Sequence, residues 1–303
     1  MLQTSFTLNN NVDIPSIGLG TWQAKDNIVY DAVTLALKAG YRHIDTAFGY
    51  GNEVAIGQAI RDSDVARSEI FVTTKMAPID LLNPAIALEK SLKNLDLEYV
   101  DLYLMHWPIA LNSNNKSHPL LPTLANGKRD ILLDRHFVST YVEMQPLIIS
   151  GKARAIGVSN MLIKNLKLLL ALNDVTVKPA VNQVELHPYL PQHELLAYSK
   201  QENIILEAYS PLGSIDSPLL QDENLKNMAS SYGTTVASIL ISWAVWRGTV
   251  ALPKSANPSR IMSNFQLVRL KESDGLLINN LSKTVGTKRF INPDWDPIVV
   301  FND

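Results

Sequence analysis

The chain has 303 residues, 46% of them apolar, so it can bury a large core; its length is ordinary for an α/β barrel, which needs roughly 250 residues. A net charge of −2 offers no electrostatic footprint for nucleic acid or anionic lipid, and neither is expected as a partner. Cysteine is absent, which excludes disulfides, thiolate metal sites and a cysteine nucleophile.

The opening stretch MLQTSFTLNN lacks the basic start and apolar run of a signal peptide. The densest apolar run, 162–172, is interrupted by Lys164, Asn165 and Lys167 and reads as no membrane span. The expected location is the cytoplasm. Glycosylation triplets begin at Asn115 and Asn280 and are read as chance matches.

In chain order, 6–8 and 12–14 flank Asn-rich residues and predict a leading hairpin. Eight strand candidates follow, at 16–19, 43–45, 70–74, 100–105, 153–158, 180–185, 204–208 and 250–252. Helical patterns fall at 27–39, 52–61, 84–95, 137–150, 161–172, 192–202, 222–246 and 258–265. Gly40, Gly151 and Gly233 stand where left-handed helix caps belong. Segment 109–136, rich in Asn, Pro and Leu, reads as a long loop after the fourth strand. The irregular tail 283–303 carries Trp295, Ile298, Val299 and Phe301 and is expected to pack on the body. Strand-then-helix units demand parallel pairing, because a helical crossover returns the chain in the same direction. Short strands without a dividing linker favour one closed (β/α)8 TIM barrel over 1–303, rather than an open doubly wound sheet.

Several chemically active side chains fall at or just past the ends of consecutive strands: Asp45 in RHIDTA, Tyr50 in the loop after it, Lys75 in FVTTK and His106 in DLYLMHWP. In a closed barrel these ends surround one mouth. A phenol with an ordinary pKa near 10 donates its proton poorly at neutral pH. An adjacent ammonium should lower that pKa, a carboxylate should hold the ammonium, and an imidazole should orient a substrate oxygen. The set suits a carbonyl that accepts hydride at carbon while the tyrosine protonates its oxygen. Trp22 and Trp107, also at strand ends, would supply apolar walls.

GLGTW at 18–22, DTA and YGNE within 45–53, LYLMHWP at 102–108, GVSN at 157–160, NQVELHP at 182–188, AYSPLGS at 208–214 and LPKS at 252–255 occur in this order. In them the chain resembles the aldo-keto reductase superfamily, most closely its fungal NADPH-dependent aldehyde and ketone reductases, over nearly the whole length. The resemblance implies Tyr50 as general acid, Lys75 as its partner, Asp45 as the lysine's partner and His106 as substrate orienter. It implies that Ser159, Asn160 and Gln183 hold the nicotinamide carboxamide and that Tyr209 stacks on the ring. Thr21 joins the cofactor contacts, Ser210, Leu212 and Ser214 line the pyrophosphate channel, Lys254, Ser255 and Arg260 hold a 2′-phosphate, and Asn264 meets adenine. A dianion rewards Lys, a hydroxyl and a forked Arg, and no acid occurs between 253 and 271, so the cofactor reading is NADPH/NADP+. The family also implies reversibility on small polyols such as glycerol, and a monomer or weak homodimer is expected.

Two positions depart from the pattern. Ser263 replaces an acid common before the adenine-contacting Asn, and Met76–Ala77 replace a Leu-Trp pair after the lysine. The lost indole should leave room for bulkier ketones. Trp295 could face substrate or simply anchor the tail. GLG at 18–20 is no Rossmann loop, because Gln23 stands at the third glycine. The pairs His43 with Asp45 and Glu185 with His187 could ligate a metal in a barrel hydrolase, but both histidines are expected to be packed structural groups and no metal is assigned. Ser159 and Ser210 lack the GxSxG elbow of a hydrolase. A non-catalytic NADPH-binding regulatory or structural barrel is the alternative function.

Overall fold

The computed structural model describes residues 3–214 and 217–302; the last residue of the tail, Asp303, lies outside them. The chain opens with an antiparallel hairpin, β1 (Ser5–Thr7) and β2 (Asp13–Pro15), in which Phe6 pairs with Ile14. This is one residue off the predicted ranges. Asn11 turns the chain with φ +64°. Ile14 and Leu8 are buried with Leu102, Leu104, Val181 and Val250, so the hairpin plugs the barrel interior. Asn9 and Asn10 donate to the carbonyls of Pro179 and Arg154, at the starts of two strands, which places the plug at the N-terminal end.

The strand and helix units then run β3 (Leu19–Gly20), α1 (Asp26–Ala39), β4 (His43–Asp45), α2 (Glu53–Arg61), β5 (Phe71–Met76), α3 (Pro84–Leu95) and β6 (Val100–Met105). After a long loop come α4 (Phe137–Met144), α5 (Pro146–Ile149), β7 (Ala153–Ser159), α6 (Ile163–Leu170), β8 (Val181–Glu185), α7 (His193–Gln201) and β9 (Ile205–Tyr209). The rest is α8 (Glu223–Ser231), α9 (Val236–Trp246), β10 (Val250–Leu252), α10 (Pro258–Asn264), α11 (Glu272–Asn279) and α12 (Leu281–Val285). Strands β3 to β10 lie parallel in sequence order. The barrel closes where Ile17 bridges Ala251 and Gly20 bridges Lys254, with Gly18 N donating to Ala251 O at 2.9 Å. A Cβ at Gly18 would lie 2.7–2.8 Å from Leu252 and His43, so the closing seam requires glycine there. The result is a (β/α)8 barrel with a leading hairpin.

Three helical expectations change. The pattern 222–246 is two helices, divided at Gly233 (φ +62°), with Thr235 capping the second. The pattern 137–150 breaks at Pro146, which has no N–H to continue the ladder. Helices α11 and α12 occupy a stretch without a predicted helix, reaching three residues into the tail expected to be irregular. There Gly275 lies against the Trp246 ring and Trp243 Nε1 donates to Asn279 Oδ1 at 2.9 Å, so packing on α9 supports a helix whose own pattern is weak. Among the described residues, no helix is long and apolar enough to cross a membrane.

Candidate active site

The mouth at the C-terminal ends of the strands is built on the polar residues of β4 and β5. Asp45 ends β4; Lys75 lies one residue inside the end of β5, which runs on to Met76. Lys75 is fully buried, and its Nζ donates to Asp45 Oδ1 and Oδ2 at 2.8 and 2.7 Å and to Thr46 O at 2.8 Å. Tyr50 closes a short 3-10 turn, Phe48–Tyr50, and its hydroxyl oxygen lies 3.4 Å from Lys75 Nζ. That turn is tied down by Asn52, which donates to the carbonyls of Thr21 and Ala24 and accepts from Thr46. Glu53 accepts from Thr74 and Asn94 and anchors the next residue. His106 follows β6 with its ring 5.6 Å from that of Tyr50, edge to face. The four side chains expected to meet do meet.

The electrostatics differ in one respect from expectation. Burial raises the Tyr50 pKa, and although Lys75 pulls it down, the net direction is upward. The ammonium acts in the expected sense, but low-dielectric surroundings outweigh it. Burial works against the charged Lys75, yet Asp45 and Tyr50 together carry its pKa above the usual value, so it is a cation. Burial pushes His106 down to about 3, with Lys75 adding to the effect, and the imidazole is neutral at ordinary pH.

The neighbouring strand ends carry the next layer. Ser159 Oγ donates to Gln183 O at 2.7 Å, Asn160 Nδ2 donates to His106 O at 2.9 Å, and Tyr209 Oη donates to Asn160 Oδ1 at 2.8 Å. Gln183 Nε2 donates to Asp45 Oδ1 and to Glu207 Oε2. Thr21 Oγ1 donates to Asp45 O at 2.9 Å, so this residue belongs to the same floor. Ser210 and Ser214 both have positive φ (49° and 67°), and half-buried Leu212 lies between them in the loop after β9. Lys254 and Arg260 are exposed on either side of Ser255, past β10 and in α10, while Asn264 is buried. Lys254 is joined through Gly20 to the strand preceding Thr21, which connects the basic cluster to the floor.

Aromatic walls stand above. Trp107 packs on Trp295 at 5.5 Å and on Phe301 at 5.9 Å between ring centroids, within an apolar cluster of Ala77, Ile79, Ile109, Leu111 and Val300. Trp295 is thus both a tail anchor and a neighbour of the mouth; Trp22 is 42% exposed. Loop 109–136 is ordered by its own side chains, Asn115 donating to Thr123 O and Asp130, and Lys128 pairs with Asp296 of the tail at 2.6 Å. Glu185 accepts from Phe290 N and Ile291 N, fastening the tail to β8.

His43 Nε2 meets Thr73 Oγ1 at 3.0 Å, and His187 Nε2 meets Glu185 Oε1 at 2.8 Å, both rings buried as structural groups. Sequence reasoning missed Glu207, Glu53 and Asn52 as site components. Asn52 and Glu53 stood in the YGNE block; Glu207 carried a signal too, an acid two residues before Tyr209 in an apolar strand, hence on the same face.

A model of the Aldo/keto reductase family matches residues 16–282. Among curated relatives, Glycerol 2-dehydrogenase (NADP(+)) of Saccharomyces cerevisiae is 49% identical over 299 residues, 97% of this chain and 96% of its own. Aldehyde reductase YPR1 of the same yeast is 48% identical, covering 97% and 96%. A solved aldose reductase from Schistosoma japonicum superposes with a TM-score of 0.88 at 32% identity, covering 96% of this chain and 95% of that one. On the family match and on relatives alike from end to end, the chain belongs to the aldo/keto reductase family.

Proposed function

We propose that the protein is an NADP-dependent oxidoreductase that reduces aldehydes and ketones to alcohols, with Tyr50 as general acid. The observation that carries this reading is the contact of the Tyr50 hydroxyl, 3.4 Å from a fully buried Lys75 that Asp45 keeps charged. A purely structural or regulatory barrel has no use for such a pair. When bound, NADPH supplies a hydride to the carbonyl carbon.

The chain's own residues handle the proton. Burial keeps Tyr50 a phenol at neutral pH, so the proton is present on Oη when the carbonyl oxygen needs it. Lys75 faces the phenolate that remains and stabilises it, which eases the transfer. His106, neutral and beside Tyr50, holds the carbonyl oxygen without competing as an acid. The same groups run the reverse reaction, with Tyr50 as base, on small polyols such as glycerol.

The donors present fit the dinucleotide. With both N–H groups of Gln183 bonded to carboxyls, its Oε1 is the atom left to accept from a carboxamide, and Ser159 and Asn160 stand beside it. Tyr209 offers a ring face. Ser210, Leu212 and Ser214 follow for the pyrophosphate, Lys254, Ser255 and Arg260 suit a 2′-phosphate, and Asn264 suits adenine. Trp22, Trp107 and Trp295 form the substrate wall. One barrel domain over 1–303, a cytoplasmic location and a monomer or weak homodimer complete the reading.

The test is consumption of NADPH and NADH by purified protein with a panel of aldehydes, ketones, aldoses and α-dicarbonyls. NADPH should be used at least about tenfold faster than NADH at equal low concentration, since the charge-assisted phosphate contacts are lost with NADH. A chelator should change nothing. No turnover on any carbonyl would sink the reading.

A further inference from the structure

Below the acid pair lies a buried carboxyl that the mechanism above does not use. Glu207, in β9, is fully buried and stands opposite Gln183 in register. Strands β4 and β8 are four apart in an eight-stranded barrel and so face each other across it. Gln183 reaches over that interior: its Nε2 donates to Asp45 Oδ1 at 2.8 Å and to Glu207 Oε2 at 2.9 Å. One amide nitrogen therefore joins two acids. An amide turned the other way would aim its oxygen at both carboxyls.

Among the described residues a single cation serves the pair. Lys75 bonds both oxygens of Asp45. His43 Nε2 lies 3.7 Å from Glu207 Oε1, but burial pushes its pKa down to about 3 and leaves the ring neutral. The groups facing Glu207 are thus His43 and Asp45 from β4, Lys75 from β5 and Gln183 from β8, while Val250 pairs with it from β10. Two buried carboxylates beside one ammonium are strongly unfavourable, and one must hold a proton. Burial, then the Asp45 charge, push the Glu207 pKa up to about 8.

We propose that Glu207 is a positioning residue of the active site: its carboxyl locks the Gln183 amide across the barrel, so that Oε1 faces the cofactor carboxamide. The inference rests on the NADPH reading above. Oε2 accepts from Gln183, so at neutral pH the proton resides on Oε1, which makes no hydrogen bond among the described residues. As pH rises through about 8 this proton leaves and a second negative charge forms in the floor. NADP+ has a positively charged nicotinamide ring and NADPH a neutral one, so the new charge favours the oxidised form. The 2′-phosphate is common to both and cancels in their ratio.

The test is titration of wild type, Glu207→Gln and Glu207→Leu with NADP+ and NADPH at pH 7 and pH 9, read by quenching of intrinsic tryptophan fluorescence. In wild type the ratio of the NADP+ to the NADPH dissociation constant should fall about threefold or more between the two pH values, as a buried charge approaches a charged ring. Glu207→Gln keeps an acceptor for Gln183 and should bind NADPH within about twofold of wild type at pH 7, with a flat ratio. Glu207→Leu removes the acceptor and should weaken both dinucleotides about tenfold. A flat ratio in wild type, or a folded Leu variant that binds as tightly as wild type, would overturn the inference while leaving the functional reading intact. If the Leu variant shows no cooperative thermal transition, the pH behaviour of wild type against Glu207→Gln decides. Wild type that binds neither dinucleotide would overturn both.

Discussion

The floor of the mouth and its rim are built by different means. The floor, with Asp45, Lys75, Gln183 and Glu207, projects from neighbouring and opposed strands whose backbones are fixed by the parallel ladder. Its side chains are buried and bonded to one another, and a small shift of any one would strand a charge or a donor in the interior. The rim, from loop 109–136 and the tail, is held by local Asn and Asp turns, an exposed Lys128–Asp296 pair and the packing of Trp107, Trp295 and Phe301. On the proposed function, the contrast gives reaction chemistry to the buried, mutually bonded part and substrate choice to the loop and tail.

Breaking the floor should have the largest effects. Tyr50→Phe should lower kcat for a simple aldehyde about 10³-fold, the usual worth of a positioned general acid, with NADPH affinity nearly unchanged. Retained turnover would refute Tyr50 as the proton donor. Lys75→Met leaves Asp45 buried without its cation and should cost about 3–5 kcal/mol in urea unfolding. A loss below about 1 kcal/mol would mean that Asp45 takes a proton with little penalty.

The buried imidazole of the floor gives the next effect. His43 has a folded pKa of about 3, below its unfolded value, so the unfolded chain binds more protons. Its contribution is complete above about pH 6.5 and is lost as pH falls toward the folded value. Glu207, with a raised pKa, opposes this slope, so the comparison is made by difference. Between pH 7 and pH 5, His43→Gln should lose about 2 kcal/mol less stability than wild type. Equal losses in urea melts would show that His43 is not the group that titrates.

Sharpening the rim should have the smallest effect. Ala77 is buried in the cluster with Trp295, where many relatives carry an indole by the resemblance. Ala77→Trp should reduce kcat/KM for bulky ketones about fivefold relative to a small aldehyde, within the range of pocket-filling discrimination. An unchanged ratio would remove Ala77 from the determinants of selectivity.

Strand order, the hairpin and the positions of Asp45, Tyr50, Lys75 and His106 were legible because each sits in a short motif at the end of an apolar run. The direction of the Tyr50 shift was not, since it depends on how much protein surrounds the phenol as well as on Lys75. Glu207 was overlooked because Asp45, the acid whose charge it meets through Gln183, comes from a strand far away in sequence. Helix α11 was overlooked because its support is the Trp243 and Trp246 face of α9.

By itself, the sequence determined the alternation of strands and helices, and with it a parallel barrel that gathers strand ends at one mouth. Periodicity and local motifs are properties of neighbouring residues. Only the tertiary structure decided which acid keeps its proton, which way the Gln183 amide points, and how the tail meets Trp107. Those outcomes are set by distances and burial across the barrel, where Asp45 and Glu207 are buried and, among the described residues, share the one ammonium of Lys75.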